Sequence, residues 1–292
     1  MNTILPYHSL PKPEDVPGQV VIKRSNQFFS LRLKELWDYR ELLFFLTWRD
    51  LKVRYAQTAL GAAWIIIQPL VNTIIFSLLF GGLLKVSSGG VPYPVFALAG
   101  LVPWNYFASS LNKSSTSLIN NVNLITKVYF PRLIIPISGV LSGVVDFLIT
   151  FVLLMLTMLL YHVPFTPNIL LFPILLLLTL LTALGFSLWL SALNVRFRDI
   201  NYLVPFMIQA WMYITPVIYS TTLIPSRFRF LMALNPMTGI VEGFRWAILG
   251  SQLANTQPSM TNIVVSTAIT FFVLITGMIF FRHSERTFAD II

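Results

Sequence analysis

The sequence has no cysteine and few charged residues. Of its 292 residues, 11% are charged and 56% are hydrophobic, whereas about 25% of the residues in a soluble domain are charged. The absence of cysteine excludes a disulfide framework, a thiolate metal site and a cysteine nucleophile. The scarcity of charge indicates an integral membrane protein.

Signatures of enzymes are also missing. The sequence contains no Gly-rich phosphate loop of the P-loop type, which excludes nucleotide hydrolysis by that route. Its three histidines, His8, His162 and His283, are too far apart in sequence to indicate a metal site. A membrane-bound glycosyl- or lipid-modifying enzyme would usually need clustered acids, a histidine or a metal set, and no such cluster is visible. We therefore expect a chain that is not an enzyme and holds no cofactor.

Residues 31–55 combine aromatic and charged residues with helical spacing. Apolar residues recur at three- and four-residue steps, and most charged residues lie on the opposite side. The apolar face consists of Leu33, Leu36, Trp37, Leu43, Phe44, Trp48, Leu51 and Tyr55, whereas Arg40 interrupts it and Leu42, Phe45 and Leu46 lie off it. This pattern predicts an amphipathic interface helix in the plane of a membrane surface. The alternative is a surface helix on a soluble core.

The uncharged stretch that begins at Ala56 starts a series of membrane spans. It continues to Leu84 without one charge, which exceeds the ~20 residues that cross a bilayer. The pattern predicts an all-α protein of six transmembrane helices, a cytoplasmic tail at 1–30 and short re-entrant helices at about 228–250, between spans five and six. Pro103 should kink or break the second span. The predicted spans are about 58–84, 95–111, 134–160, 169–193, 202–220 and 263–281, within a transmembrane domain of residues 56–292.

The distribution of lysine and arginine predicts the orientation of these spans. Six spans leave both termini on one side, and sixteen of the twenty Lys and Arg residues fall on that side. Because positive charge is enriched in cytoplasmic segments, we expect both termini in the cytoplasm.

Asp146 is the only ionisable residue deep inside a predicted span. A charge there is costly and is by default a candidate functional group. A single acid is a poor proton relay, however, and the other interpretation is a packing residue bonded to Ser or Thr of a neighbouring helix. The sequence leaves both possibilities open.

Aromatic residues are abundant, with 24 Phe, 10 Tyr and 7 Trp. Most aromatics in such a protein contact lipid or form an interfacial belt, but a minority facing a pore could stack on sugar rings. The channel candidates are Trp64, Trp104, Tyr106, Phe107, Trp211 and Tyr213.

Several ordered motifs resemble the transmembrane subunit of ABC type-2 exporters, in the branch that exports O-antigen, capsule or teichoic acid. The resemblance covers nearly the whole chain after about Val20. The interface helix and first span resemble that family at residues 36–42, 48–55, 60–61, Trp64 and 68–69, and the second span at residues 100–101, 103–104 and Phe107. Residues 123–125 and 127–132 resemble the first coupling region of that family, and residues 193–200 resemble the second. The fifth span and the outward re-entrant helices of that family are resembled by residues 215–217, Tyr219, 234–237, Glu242 and Arg245.

The resemblance implies a homodimer in a bacterial cytoplasmic (inner) membrane, paired with two copies of a separate ATPase subunit that binds ATP and Mg. The dimer would enclose a channel for a polysaccharide, such as O-antigen, linked to undecaprenyl pyrophosphate. The expected ATPase-coupling residues are Lys127, Tyr129, Arg132, Arg196, Arg198 and Asp199, and the expected re-entrant residues are Asn235, Pro236, Glu242 and Arg245. The candidates for contact with the lipid pyrophosphate are Arg49, Lys52, Arg54 and Tyr55, although the same cations would also attract anionic membrane phospholipid. No nucleic-acid partner is expected.

Three alternatives remain open at this point. The runner-up is a type-2 permease for a drug or a lipid. An ion-coupled carrier that uses Asp146 is a different class, and the absence of an evident repeat of two halves argues against it. A membrane-bound modifying enzyme is the third.

Overall fold

The computed structural model describes residues 33–56, 63–250 and 260–288, which all belong to one compact unit beginning at Leu33. This part of the chain is helical and contains no β-strand, which confirms the predicted all-α class. The predicted tail at 1–30 and the start of the first span lie outside it. The helices are α1 (Leu33–Asp38), α2 (Arg40–Ala56), α3 (Ala63–Phe76), α4 (Tyr93–Asn120), α5 (Val122–Lys127), α6 (Ile134–Leu141), α7 (Gly143–Leu160), α8 (Phe172–Arg196), α9 (Ile200–Ile214), α10 (Ser226–Ala233), α11 (Pro236–Leu249) and α12 (Met260–Glu285).

Four helical stretches of the described part are long and apolar enough to cross a membrane. Their bounds agree with predicted spans one, three, four and six. α4 is long enough as well but too polar in its second half, and α9 has only 15 residues. The four stretches are Ala63–Leu83, in which a π-helix at Ser77–Leu83 continues α3, Ile134–Leu160, Pro167–Arg196 and Thr261–Glu285.

Of the kink or break predicted at Pro103, the break does not occur. α4 runs through Pro103 as one helix of 28 residues, from Tyr93 to Asn120. A proline removes only one backbone donor, and the first half of α4 is buried on nearly all sides by its neighbours. Packing therefore outweighs the local preference to end the helix.

α1 and α2 form a nearly continuous helix, and only part of its predicted apolar face contacts the bundle. The Tyr39 N–H donates to Glu35 O (3.1 Å), and the Leu43 N–H donates to Tyr39 O (3.1 Å), so the helix continues across the boundary. Leu46, predicted to lie off the apolar face, is buried (2% exposed) in a cluster with residues of α6 and α12, whereas Trp48 is 59% exposed. The helix thus has two apolar sides, one packed on the bundle and one uncovered.

The helix directions define two ends of the bundle. Ser114, near the end of α4, donates to Pro136 O at the start of α6 (2.7 Å), so these helices run antiparallel. Asn194, near the end of α8, donates to Ser115 O (2.8 Å). The ends of α4, α8 and α12 therefore lie together with α2, and we call this the α2 end. At the opposite α11 end, Thr166 donates to Ala247 O in α11 (2.8 Å).

Two glycines let α8 and α12 pack side by side. A Cβ on Gly277 would lie 2.5 Å from Gly185 O, and one on Gly185 would lie 2.9 Å from Leu274 N. Without side chains the two backbones approach closely, as small residues allow in membrane helices. The contact continues in a 2.8 Å hydrogen bond between Thr182 and Thr270.

We predict that Gly277→Ala lowers the stability of the fold by about 2 kcal/mol, because the added methyl group overpacks a backbone contact. Thermal unfolding of the purified protein in detergent measures the effect. Gly82→Ala is the matched control, since a Cβ there lies 3.8 Å from its nearest neighbour, Ser77 O. Equal melting temperatures for the two variants would contradict the prediction.

Candidate functional site

A cavity of about 420 Å³ lies between α2, α3, α4 and α7, and we call it the lateral cavity. The last turn of α2 contributes Arg54, and the first turns of α3 contribute Trp64 and Gln68. α4 forms one long wall, and α7 closes the cavity beside it. The lining residues are Arg54, Trp64, Ile65, Gln68, Pro69, Val102, Asn105, Tyr106, Ala108, Ser109, Asn112, Lys113, Asp146, Phe147 and Thr150.

Three ionisable side chains meet in the lateral cavity. Arg54 Nη1 donates to Asp146 Oδ2, and Lys113 Nζ lies 3.3 Å from the same oxygen. Arg54 Nη2 also lies 3.5 Å from Ser142 Oγ. Two cations therefore share one carboxylate, and the three charges sum to +1. We call Arg54, Lys113 and Asp146 the triad.

The triad changes the interpretation of Asp146. Its carboxylate pairs with two cations from other helices, and its backbone oxygen accepts a hydrogen bond from Thr150 Oγ1 (2.8 Å). The sequence identified Arg54 and Asp146 separately, but 92 positions separate them. Sequence reasoning did not single out Lys113.

The other pyrophosphate candidates lie elsewhere on α2. Arg49 pairs with its neighbour Asp50 (2.8 Å), and Lys52 is exposed. The side chain of Tyr55 lies outside the described part of the structure. Of the described candidates, only Arg54 reaches the lateral cavity.

The six aromatic channel candidates divide by burial. Trp104 and Phe107 are buried in the core of the single chain. Tyr106 is also buried and borders only the lateral cavity. Trp64 and Tyr213 are more than half exposed.

Trp211, the sixth candidate, is partly buried and joins α9 to α11. Its ring packs edge-to-face on Phe107 and Phe186, with centroids 5.2 and 4.9 Å apart. Its Nε1 donates to Asn235 Oδ1 (3.1 Å), which also accepts the Met237 N–H (3.1 Å) and so caps α11. Pro236 follows at the first helical position, where its missing N–H has no cost. Trp211 and Asn235 are therefore connecting residues within one chain.

Arg245 holds the segment after α9 against the bundle. Its guanidinium donates to Pro216 O (2.7 Å), Tyr219 O (3.1 Å) and Val217 O (2.5 Å), and it lies 3.8 Å from the centre of the Phe96 ring. The side chain is buried, so these carbonyls take the place of water around the charge. We call this arrangement the Arg245 clamp.

Two further residues, Tyr93 and Gly100, complete the clamp. The buried Tyr93 hydroxyl donates to Ile218 O (2.5 Å). Gly100 leaves space for the clamp, since a Cβ there would lie 2.5 Å from Val217 O and 2.8 Å from Arg245 Nη2. Glu242, the remaining predicted re-entrant residue, accepts a bond from Asn262 in α12 (3.1 Å).

The first predicted coupling segment is partly exposed at the α2 end. Lys127 and Tyr129 project from the surface between α5 and α6. Arg132 instead turns inward, where its backbone N–H lies 3.3 Å from Glu285 Oε1 and its guanidinium donates to Glu285 O. Arg132 therefore anchors the segment to the end of α12 and leaves Lys127 and Tyr129 as its outward residues.

The second predicted coupling segment lies at the same end. Arg196, Arg198 and Asp199 are exposed between α8 and α9. Just before them, buried Asn194 donates to Ser115 O and to Asn201 Oδ1 (2.7 Å). A rigid base in the bundle thus supports each exposed segment.

No group of three or more His, Asp and Glu side chains in the described part could hold a metal ion.

Comparison with known proteins adds independent information. Residues 41–249 match the family model of the ABC-2 type transporter. The chain is 31% identical to the O-antigen export system permease protein RfbA of Klebsiella pneumoniae over 90% of this chain and 100% of that protein. It is 30% identical to the protein of the same name from Myxococcus xanthus, over 81% and 91%, and 22% identical to the polysialic acid transport protein KpsM of Escherichia coli, over 82% and 91%.

Proposed function

The chain belongs to the ABC-2 type transporter family, and from this premise we propose that it is the channel-forming permease subunit of an ATP-driven exporter of lipid-linked polysaccharide. As a member of this family, the chain is a transport subunit and a multi-pass inner-membrane protein. The family implies that it associates with an ATPase subunit. The observation that carries the glycan assignment is the similarity to O-antigen export permeases over 90% of the chain.

The proposed membrane arrangement has six crossings. The four candidate spans are joined by α4, which runs antiparallel to α6 and α7, and by α9 with the clamped segment that follows it. The α2 end then carries most of the Lys and Arg residues, which favours the cytoplasmic side. On this arrangement α10 and α11 are the re-entrant helices at the outer side, and the uncovered aromatic side of α2 lies on the inner membrane surface.

The ATPase contact is proposed at the two exposed segments of the α2 end. Lys127 and Tyr129 on one segment, and Arg196, Arg198 and Asp199 on the other, are accessible to a soluble partner. Because the base of each segment is anchored inside the bundle, a displacement there would pass into α4, α8 and α12. This arrangement supports coupling of ATP hydrolysis, with ATP and Mg in the partner, to movement of the helices.

The channel is proposed to form between two copies of the chain. Apolar side chains of α3 and α9 are exposed in the single chain, and we place the second copy on these faces. Trp64 and Tyr213 are the aromatic candidates that could meet a glycan there. The proposed substrate carries undecaprenyl pyrophosphate, with Arg49, Lys52 and Arg54 as the cations that would meet it.

We expect Arg198→Glu to reduce glycan-dependent ATPase activity at least tenfold while the complex remains intact. Reversing this charge removes a favourable contact and places a repulsive one on the coupling surface. The measurement is ATP hydrolysis by the reconstituted complex with its ATPase, with and without lipid-linked glycan. Arg227→Glu is the matched control, since Arg227 is exposed at the α11 end, away from the proposed contact.

Two outcomes of this measurement would count against the proposal. Failure of the chain to form a complex with the ATPase would remove the coupling assignment. An intact complex that responds to an amphipathic drug or a free lipid, but not to lipid-linked glycan, would favour the second candidate, a type-2 permease for such molecules.

A further inference from the structure

We propose that Phe288 is a positioning residue, which closes a small hydrophobic core at the α2 end and thereby holds the first predicted coupling segment and α2 together as one body. We call this core the Phe288 clasp. Its meaning for transport rests on the proposed ATPase contact, whereas the clasp itself consists of contacts within one chain.

The described part of the chain has two hydrophobic cores, and the smaller one lies at the α2 end. Phe288, in the turn that follows α12, is 1% exposed there, and its ring packs edge-to-face on Phe281 with centroids 5.5 Å apart. A buried aromatic ring contributes a large apolar area, so the loss of Phe288 would open this core. Its members from α2, α4, α5, the first predicted coupling segment and the end of α12 include Leu46, Leu118, Ile125, Phe130, Leu133, Phe281 and Phe288.

Arg132 joins the clasp through its polar atoms. Its guanidinium carbon lies 6.0 Å from the centre of the Phe288 ring, within the range of a cation–π contact. The same guanidinium donates to Glu285 O, and the Arg132 backbone N–H lies 3.3 Å from Glu285 Oε1. The last carbonyls of a helix lack partners within the helix and favour a nearby cation. Arg132 therefore closes the end of α12, and Phe288 lies against its guanidinium.

The clasp sets the direction of the outward residues of the segment. Val128 has extended backbone angles (φ −129°, ψ 134°), and neighbouring side chains of an extended stretch point to opposite sides. Tyr129 is 65% exposed, whereas Phe130 is 5% exposed within the clasp. The burial of Phe130 thus turns Tyr129 outward, where the ATPase contact is proposed.

The interface helix shares the clasp through Leu46, which is 2% exposed. The first predicted coupling segment, α2 and the end of α12 are therefore packed on one core. A packed core has discrete arrangements and does not deform continuously. A displacement of Tyr129 by a partner would accordingly move α2 and the end of α12 with it.

Amide hydrogen exchange of the purified chain in detergent tests the clasp without a partner. We expect Phe288→Ala to speed exchange about tenfold in residues 123–133 and in α2, because loss of the ring lowers the local free energy of opening. Exchange in α11, at the opposite end of the bundle, should match the parent. Phe272→Ala is the matched control, since Phe272 lies on the same helix, α12, and is 67% exposed.

The affinity of the chain for its ATPase tests the positioning role. Phe288→Ala should weaken binding about tenfold and leave ATP hydrolysis per assembled complex within about twofold of the parent, because the contact residues are present but no longer preorganised. Phe288→Leu refills the core and should recover most of the affinity. A residue that only supports the fold would lower the yield of folded chain and not the affinity of the folded fraction.

Lys127→Glu separates this inference from the proposed ATPase contact. The substitution alters the proposed contact but leaves the clasp intact, since Lys127 is exposed. If it does not change the affinity, the ATPase contact at this segment is wrong, and the exchange experiment alone decides whether the clasp exists. Exchange that rises uniformly, or does not rise at all, in Phe288→Ala overturns the clasp. Local loosening with parental affinity, when Lys127→Glu does weaken binding, overturns the positioning role.

Discussion

Replacing Arg245 by methionine is expected to lower the free energy of unfolding by about 4 kcal/mol and to abolish export. The guanidinium satisfies the carbonyls of Pro216, Val217 and Tyr219 inside the protein. Methionine fills similar space but donates no hydrogen bond, and each buried carbonyl left unpaired costs about 1–3 kcal/mol. The segment after α9 would then lose its hydrogen bonds from Arg245, which leaves Thr215 as its contact with the cap of α11.

Two further variants separate charge from geometry at the Arg245 clamp. Arg245→Lys keeps the charge but cannot reach three carbonyls from one planar group, so we expect it to recover less than half of the loss. Gly100→Ala leaves the arginine in place and should destabilise the clamp from the other side, because its Cβ would lie 2.5 Å from Val217 O.

Thermal unfolding in detergent measures these effects, and a loss of 4 kcal/mol corresponds to a fall in melting temperature of roughly 10 °C. The matched control is Arg229→Met, since Arg229 is exposed on α10 and makes one bond, to Ile224 O (3.1 Å). If Arg245→Met melts at the same temperature as Arg229→Met, the clamp contributes little to stability.

The sequence predicts best those elements that hydrophobicity alone determines. The third span was expected at 134–160, and the helical stretch Ile134–Leu160 has the same limits. A predominantly apolar run of this length, here with Asp146 as its one charged residue, has one low-energy solution in a bilayer, a helix whose backbone groups bond to each other. Hydrophobicity does not determine the ends of partly polar helices. α4, for example, continues nine residues beyond the predicted end of span two, to Asn120.

The face of α2 shows where periodicity is insufficient. Periodicity places Leu43 and Trp48 on one apolar face, yet Leu43 packs with Leu46 against the bundle while Trp48 is exposed. In a membrane protein an apolar side chain can be covered by lipid or by protein, and composition does not distinguish the two. Trp104 and Phe107 show the same ambiguity, because an aromatic side chain suits both a channel wall and a protein core.

Long-range ion pairs and close contacts could not be derived from spacing. The triad joins residues 54, 113 and 146 from three separate helices. Gly100 was noted as part of a motif, but its role depends on Val217 O, which lies far along the chain. Such pairings follow from tertiary packing, and a single sequence carries no local signal for them.

The second large expected effect comes from a substitution in the triad. The structure and the hypothesis of an ion-coupled carrier predict different results for this substitution. We expect Asp146→Asn to destabilise the protein by about 2 kcal/mol in the absence of lipid. The change leaves Arg54 and Lys113 facing each other without their shared carboxylate, and removal of one partner from a buried ion pair costs about 3–5 kcal/mol. The remaining exposure of all three side chains reduces this cost, because solvent screens the charges. A carrier predicts the opposite pattern, with transport lost and stability unchanged.

A double-mutant cycle with Lys113→Met gives the decisive measurement. Lys113→Met alone leaves Arg54 and Asp146 as a neutral pair and should cost less than 1 kcal/mol. Combined with Asp146→Asn, it removes the repulsion between the two cations, so the double variant should melt higher than Asp146→Asn alone. Such a non-additive result reports direct coupling between the two sites. Additive losses, or an Asp146→Asn variant as stable as the parent, would show that the triad does not hold α4 and α7 together, and Asp146 would again be a candidate for ion coupling.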